Sequence, residues 1–167
     1  MGRRSCAFRD CMADLLEAEV LKSLEGFPSH ALARSRGDRA SHSLRVAFLS
    51  YAIAGLLGAD RRTCARAGLL HDVGYEPGEG VLEATLRHSG RSIAIARALG
   101  ERPAVLEAMR GHMFPLEAPP RSLEGLIVWF SDKLDAVLEL LGLSGPVERV
   151  ARALAGLGAR ARTHPPG

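Results

Sequence analysis

The chain has almost no lysine: of its 22 basic residues only Lys22 and Lys133 are lysines, so the positive charge is guanidinium. With a net charge of only +3, the sequence admits anionic ligands such as phosphates without calling for a nucleic-acid surface. Aromatic residues are scarce at 5%, too few to build an evident base-stacking platform. The three cysteines, Cys6, Cys11 and Cys64, form no C-x-x-C pair and read as free thiols of a reducing compartment. No apolar run approaches the length of about eighteen residues that a membrane span needs. Met1-Gly2-Arg3-Arg4 is followed by no apolar h-region, so no signal peptide is expected and the expected location is cytoplasmic.

What is present fits an ordinary globular domain: 167 residues, 47% apolar and 25% charged, enough for one domain with a real core. Nearly every segment reads at helical period and none as a strand. Helices are expected over Cys11–Gly26, from Ser41 as N-cap to Gly58, and from Asp60 as N-cap to about Gly74. Phe27–Arg39 reads as a polar, basic loop. Further helices are expected over Ser89–Leu99, from Pro103 to near Gly111, over Ser122–Leu141 and over Pro146–Leu157. Tyr75–Gly80 is the clearest loop, and Gly158–Gly167 reads as a frayed tail. The fold class is therefore all-α, a bundle of about seven helices within residues 1–157.

The stretch Gly68-Leu69-Leu70-His71-Asp72-Val73-Gly74 sets an imidazole and a carboxylate at the end of an apolar run. A carboxylate carried into a core must be paired, hydrogen-bonded or metal-bound. Alone, the pair would read as a helix C-terminus closed by Gly74. His42, however, stands four residues before Val46 on an apolar face, and His88 stands four before Ser92 on the stripe that continues through Ile95 and Leu99. His112 follows Val105 and Met109, and Asp132 closes Leu126-Ile127-Val128-Trp129-Phe130-Ser131. Four histidines and two aspartates in apolar settings carry a large desolvation cost that metal coordination removes. The candidate ligands are His42, His71, Asp72, His88, His112 and Asp132, a set suited to two first-row metals about 3.5–4 Å apart. His30 and His164 read as ordinary surface residues.

The order His42, His71-Asp72, Asp132 resembles the HD-domain superfamily of metal-dependent phosphohydrolases, with the signature H…HD…D on helices. The resemblance spans about residues 38–140, and His88 and His112 look like the extra ligands of its binuclear branch. It implies one metal on His42, His71, Asp72 and Asp132 and a second on His88, His112 and a bridging Asp72. Iron or manganese is the first expectation, with zinc, cobalt, nickel or magnesium admitted. His71 and Asp72 would then be the catalytic pair, two cations acidifying a water between them. Many relatives carry a lysine after the motif glycine; here Tyr75 stands in its place.

Arg87, Arg91, Lys133 and, less strongly, Arg45 are the candidate phosphate-binding cations, since each lies close to a candidate ligand in sequence. The activity expected from the resemblance is hydrolysis of a phosphomonoester or phosphodiester of a small metabolite, first of all a nucleotide. Two alternatives are a mixed-valent di-iron oxygenase on the same fold and a non-catalytic nucleotide-binding domain. Neither a membrane nor a nucleic-acid polymer is expected as partner. A homodimer is left open, since the apolar face around Val147, Val150 and Leu154 covers either the core or a partner.

Overall fold

The computed structural model describes residues 6–25, 27, 38–76 and 78–158, with nothing stated for the side chain of Val81. Seven α-helices run through the described residues, with no strand among them: α1 (Ala13–Glu17), α2 (Arg39–Leu57), α3 (Arg61–Leu70), α4 (Val81–Ala98), α5 (Pro103–Met109), α6 (Leu123–Leu140) and α7 (Ser144–Ala155). The fold is all-α, as the periodicity requires. Most of the loop expected over Phe27–Arg39, the end of the tail, His30 and His164 lie outside the described residues.

Helix boundaries follow local chemistry. Asp38, and not Ser41, caps α2, its side chain accepting from the Ser41 backbone N–H at 2.7 Å. Asp60 caps α3 through the N–H groups of Arg62 and Thr63, and Ser122 caps α6 through Gly125. Gly58 adopts a left-handed φ of 69° after α2, which a Cβ would oppose. The helix expected over Cys11–Gly26 is instead the short α1 and a 3-10 turn at Lys22–Leu24. Glu19, at φ 58°, breaks the run between them. The helix expected from Ser89 starts earlier, since α4 runs unbroken from Val81.

Helix α2 is the axis of the molecule, packed against α3, α6 and α7, while α3 also meets α5 and α6. Its first half is buried on every side, Leu44, Val46 and Ala47 included, while Leu56 at its far end is 86% exposed. By length and composition α2 is a helix that could cross a membrane, although 56% of it is buried inside the fold. The sequence reading missed this because His42, Arg39 and Arg45 interrupt the apolar run. The crossing of α2 and α3 is close: a Cβ on Gly68 would stand 2.9 Å from Ala47 Cα.

One further expectation fails. Cys6 and Cys11 are joined by a disulfide, because the turn through Phe8 brings their Cα atoms to 5.9 Å, and only Cys64 is a free, buried thiol. On α7, Val150 is 46% and Leu154 50% exposed in the single chain, while Ala151 and Ala155 make the buried contact with the rest of the fold.

Candidate metal centre

Five helices, in their bodies or at their C-terminal ends, deliver six side chains to one buried point. His42 lies in the first turn of α2, His71 and Asp72 at the C-terminal end of α3, and His88 in the middle of α4. His112 follows α5, and Asp132 projects from α6. All six are under 9% exposed. Gly74 makes the α3–α4 approach feasible, since a Cβ there would meet His88 O at 2.3 Å and Ser92 N at 2.5 Å. Its N–H donates to Ser92 Oγ at 2.9 Å, locking the HD turn onto α4.

Asp72 is the centre. Its Oδ1 lies 3.3 Å from His88 Nε2, 3.5 Å from His71 Nε2 and 3.9 Å from His112 Nε2, and its Oδ2 lies 3.8 Å from His42 Nε2. Asp132 Oδ1 faces His42 Nε2 at 3.2 Å and His71 Nε2 at 3.7 Å. Two groups with ligand geometry therefore share one carboxylate, His42–His71–Asp72 and Asp72–His88–His112.

The protonation of the rings is dictated by their outer partners. His71 Nδ1 meets Gly68 O at 2.8 Å, His88 Nδ1 meets Ala84 O at 2.9 Å and His112 Nδ1 meets Met109 O at 2.9 Å. A carbonyl only accepts, so each Nδ1 carries the proton and each Nε2 turns a lone pair inward. His71 Nε2 has no hydrogen-bond partner, and His88 Nε2 stands 3.1 Å from His112 Nε2. Burial and the neighbouring His71 push His112 down to about 4, so a proton shared between those two nitrogens is disfavoured. Inward lone pairs with no donor among them are what a divalent cation satisfies. The residues fit the metal.

The carboxylates are held ionised. Burial pushes Asp72 up, but His71, His88 and Arg39 outweigh it and keep it well below the usual range. Asp132 behaves alike, burial being overcome by His42 and His71. Burial pushes His42 down, yet its hydrogen bonds to Asp132 and Asp135 hold it up at about 9.

Of the four candidate phosphate-binding cations, only Lys133 is at the centre, with Nζ 2.7 Å from Asp132 Oδ2. Arg87 is solvent-exposed on α4 and pairs with Glu83 at 2.8 Å. Arg91 is turned to the loop before α4, pairing with Glu79 at 2.6 Å and Glu76 at 3.1 Å. Arg45 is buried in an acidic cluster with Asp135 and Glu139. Sequence reading missed Arg39, which it assigned to the preceding loop. Arg39 is buried, ion-pairs with Asp72 Oδ2 and lies 3.4 Å over the Tyr75 ring. Tyr75 in turn stacks on His88 with ring centres 4.4 Å apart. The signal was its position three residues before His42, one helical turn away on the same face. Asp135 was missed too, three residues after Asp132.

The family model for the HD domain matches residues 39–137, more than half of the chain and the stretch that contains every residue of the centre. The chain belongs to the HD domain family. HD domains form a superfamily of metal-dependent phosphohydrolases and bind divalent metals. Among curated relatives, Ribonuclease Y of Desulforudis audaxviator is 35% identical over 95 residues, 57% of this chain and 18% of that protein. Ribonuclease Y of Aquifex aeolicus is 37% identical over 95 residues, 57% of this chain and 16% of its own length. Ribonuclease Y of Thermus thermophilus matches equally, at 37% over 95 residues and 16% of its length. The matched stretch spans less than a fifth of these relatives.

Proposed function

We propose that this HD domain is a binuclear metal-dependent phosphohydrolase that cleaves a phosphodiester of a nucleotide. What supports the reading above all is the set of four imidazoles whose Nδ1 atoms are tied outward and whose Nε2 atoms converge on Asp72 and Asp132. His42, His71, Asp72 and Asp132 would hold one metal and His88, His112 and Asp72 the other. Divalent metals held there supply a Lewis acid for the phosphoryl oxygens and lower the pKa of a bound water.

The protein's own residues would do the rest. Asp132 turns Oδ1 to the imidazoles and Oδ2 to Lys133, while Asp72 turns Oδ1 to His71, His88 and His112 and Oδ2 to both His42 and Arg39. Those two cations are the ones placed to meet the non-bridging oxygens of an incoming phosphate. Tyr75, stacked between the Arg39 guanidinium and the His88 ring, keeps Arg39 in that position. Preference for a diester of ribonucleotide type over a monoester rests on the relatives, which are ribonucleases.

The test is a panel on protein of measured metal content: a phosphomonoester, bis-p-nitrophenyl phosphate, a ribodinucleotide, a cyclic dinucleotide and a short RNA. The expected result is diester cleavage that a chelator abolishes and Mn²⁺ restores. Metal-loaded protein that cleaves none of them, or that consumes oxygen with iron at each turnover, overturns the reading.

A further inference from the structure

His42 differs from the other three histidines in what backs it. They lean on main-chain carbonyls, whereas His42 Nδ1 lies 2.8 Å from Asp135 Oδ2. Asp135 is fully buried, one turn beyond Asp132 on α6. Both its oxygens are fixed by Arg45, with Nε at 2.7 Å from Oδ1 and Nη2 at 2.9 Å from Oδ2. Arg45 reaches on to Glu139 at 2.7 Å and to Glu148 of α7 at 3.5 Å, and Glu148 accepts from Ser41 Oγ at 2.8 Å. His42, Asp135 and Glu139 have ligand atoms close enough together for a metal, but the Arg45 guanidinium already takes the cation position. Asp135 is therefore a carboxylate held to serve one imidazole.

An imidazole that donates to a carboxylate is a stronger base at its other nitrogen than one that donates to a carbonyl. The carboxylates in contact are also unequal. The His42–His71 side faces both Asp72 and Asp132, and the His88–His112 side faces Asp72 alone.

We infer that the two metal positions are unequal by construction: Asp135, a positioning residue acting through His42, makes the His42–His71–Asp72–Asp132 position the tight one, and the His88–His112–Asp72 position loads second. This inference rests on the binuclear reading above.

The test is titration of the full, metal-free chain with Zn²⁺ against a chromophoric chelator. Wild type should take up two equivalents in two steps at least tenfold apart. Asp135→Asn should weaken the tighter step by about 10–100-fold and leave the weaker one in place. A merely structural role would lower the thermal midpoint of the metal-free protein and weaken both steps together. Should Asp135→Asn fail to fold, His88→Asn supplies the same test, losing the weaker equivalent and keeping the tighter at its wild-type affinity. Two indistinguishable steps in wild type, both steps shifting equally in Asp135→Asn, or loss of the tighter step in His88→Asn would each overturn the inference and leave the binuclear reading standing. A wild-type chain that takes up no Zn²⁺ overturns both.

Discussion

Helix α3 carries two buried charged clusters that obey opposite rules. Midway along it, Arg66 donates from Nε to both oxygens of Glu101 at 2.8 and 2.9 Å. Its Nη1 reaches Asp14 at 2.6 Å and the Cys11 carbonyl at 3.1 Å, and its Nη2 reaches Asp14 at 2.7 Å. Every donor nitrogen finds an acceptor, and the cluster closes on itself while tying α1 and the start of α5 to α3. At the end of the same helix, His71 and Asp72 belong to a cluster of mostly inward lone pairs, one of which, His71 Nε2, has no hydrogen-bond partner. Asp14 is exposed, but Arg66 and Glu101 are buried as His71 and Asp72 are, so a buried charge by itself does not mark a functional site. Donor–acceptor accounting does: a closed cluster holds the fold, and an open one waits for a cation.

The largest effect should come from breaking the open cluster at its shared atom pair. Asp72→Asn keeps the side-chain volume and removes the charge that faces all four imidazoles. Metal content should fall from two equivalents to less than one, and diester hydrolysis by ~10³-fold, about 4 kcal/mol in the barrier. The thermal midpoint of the metal-free protein should fall as well, since the buried Arg39 loses the charge it pairs with. Elemental analysis beside a melting curve reads both, and full metal content in the variant would show that Asp72 is no ligand.

Arg66→Ala should cost stability alone. It leaves Glu101 buried without its partner, a loss of about 3–5 kcal/mol by the behaviour of broken buried pairs. Metal per folded chain should stay at the wild-type value. Urea unfolding of the metal-free protein measures the first, and loss of metal from still-folded protein would deny that the two clusters are independent.

Much of this contrast was legible in the sequence, and what was not has a common cause. The six inward side chains stand out because each interrupts an apolar face, and helix ends show in Asp60, Pro103, Ser122 and Gly58. Arg39 and Asp135 escaped because their meaning depends on partners 33 and 93 residues away, Asp72 and His42. Arg87 and Arg91 misled for the same reason: nearness to His88 along a helix says nothing about which side they face. The Cys6–Cys11 bond depends on a turn that no pairing pattern announces. Local chemistry was readable and tertiary partnership was not.

Gly74 is where the open cluster meets the backbone, between the HD turn and α4. Gly74→Ala would force α4 away from the HD turn, because the new Cβ falls on the His88 carbonyl. Overpacking of this kind costs about 1–3 kcal/mol. The metal step that depends on His88 and His112 should weaken more than the other. Equal weakening of both would place Gly74 with the structural residues.

Lys133 separates substrate from metal. Lys133→Ala should raise KM for a diester by about tenfold while leaving metal content and kcat close to wild type, the pattern of a lost ground-state contact. A fall in kcat at unchanged KM would make it a participant in the chemistry instead.

The smallest effect concerns the N-terminus of α3, outside both clusters on the helix that carries them. Asp60 is a closed site in miniature, accepting from the N–H groups of Arg62 and Thr63 at 3.0 and 3.3 Å and from Thr63 Oγ1 at 2.9 Å. Burial pushes its carboxyl up, but the Thr63 bonds and Arg102 outweigh that and leave it below the ordinary 3.8. A carboxyl depressed in the folded state adds stability above its unfolded value and loses it as pH falls through its folded value. Asp60→Ala should therefore cost about 1 kcal/mol at neutral pH, the usual worth of such a cap. The gap between wild type and variant should close on acidification through the range below 3.8. Melting curves across that range check it. A gap that persists at the acid end would mean that packing, and not the ionised cap, holds the start of α3.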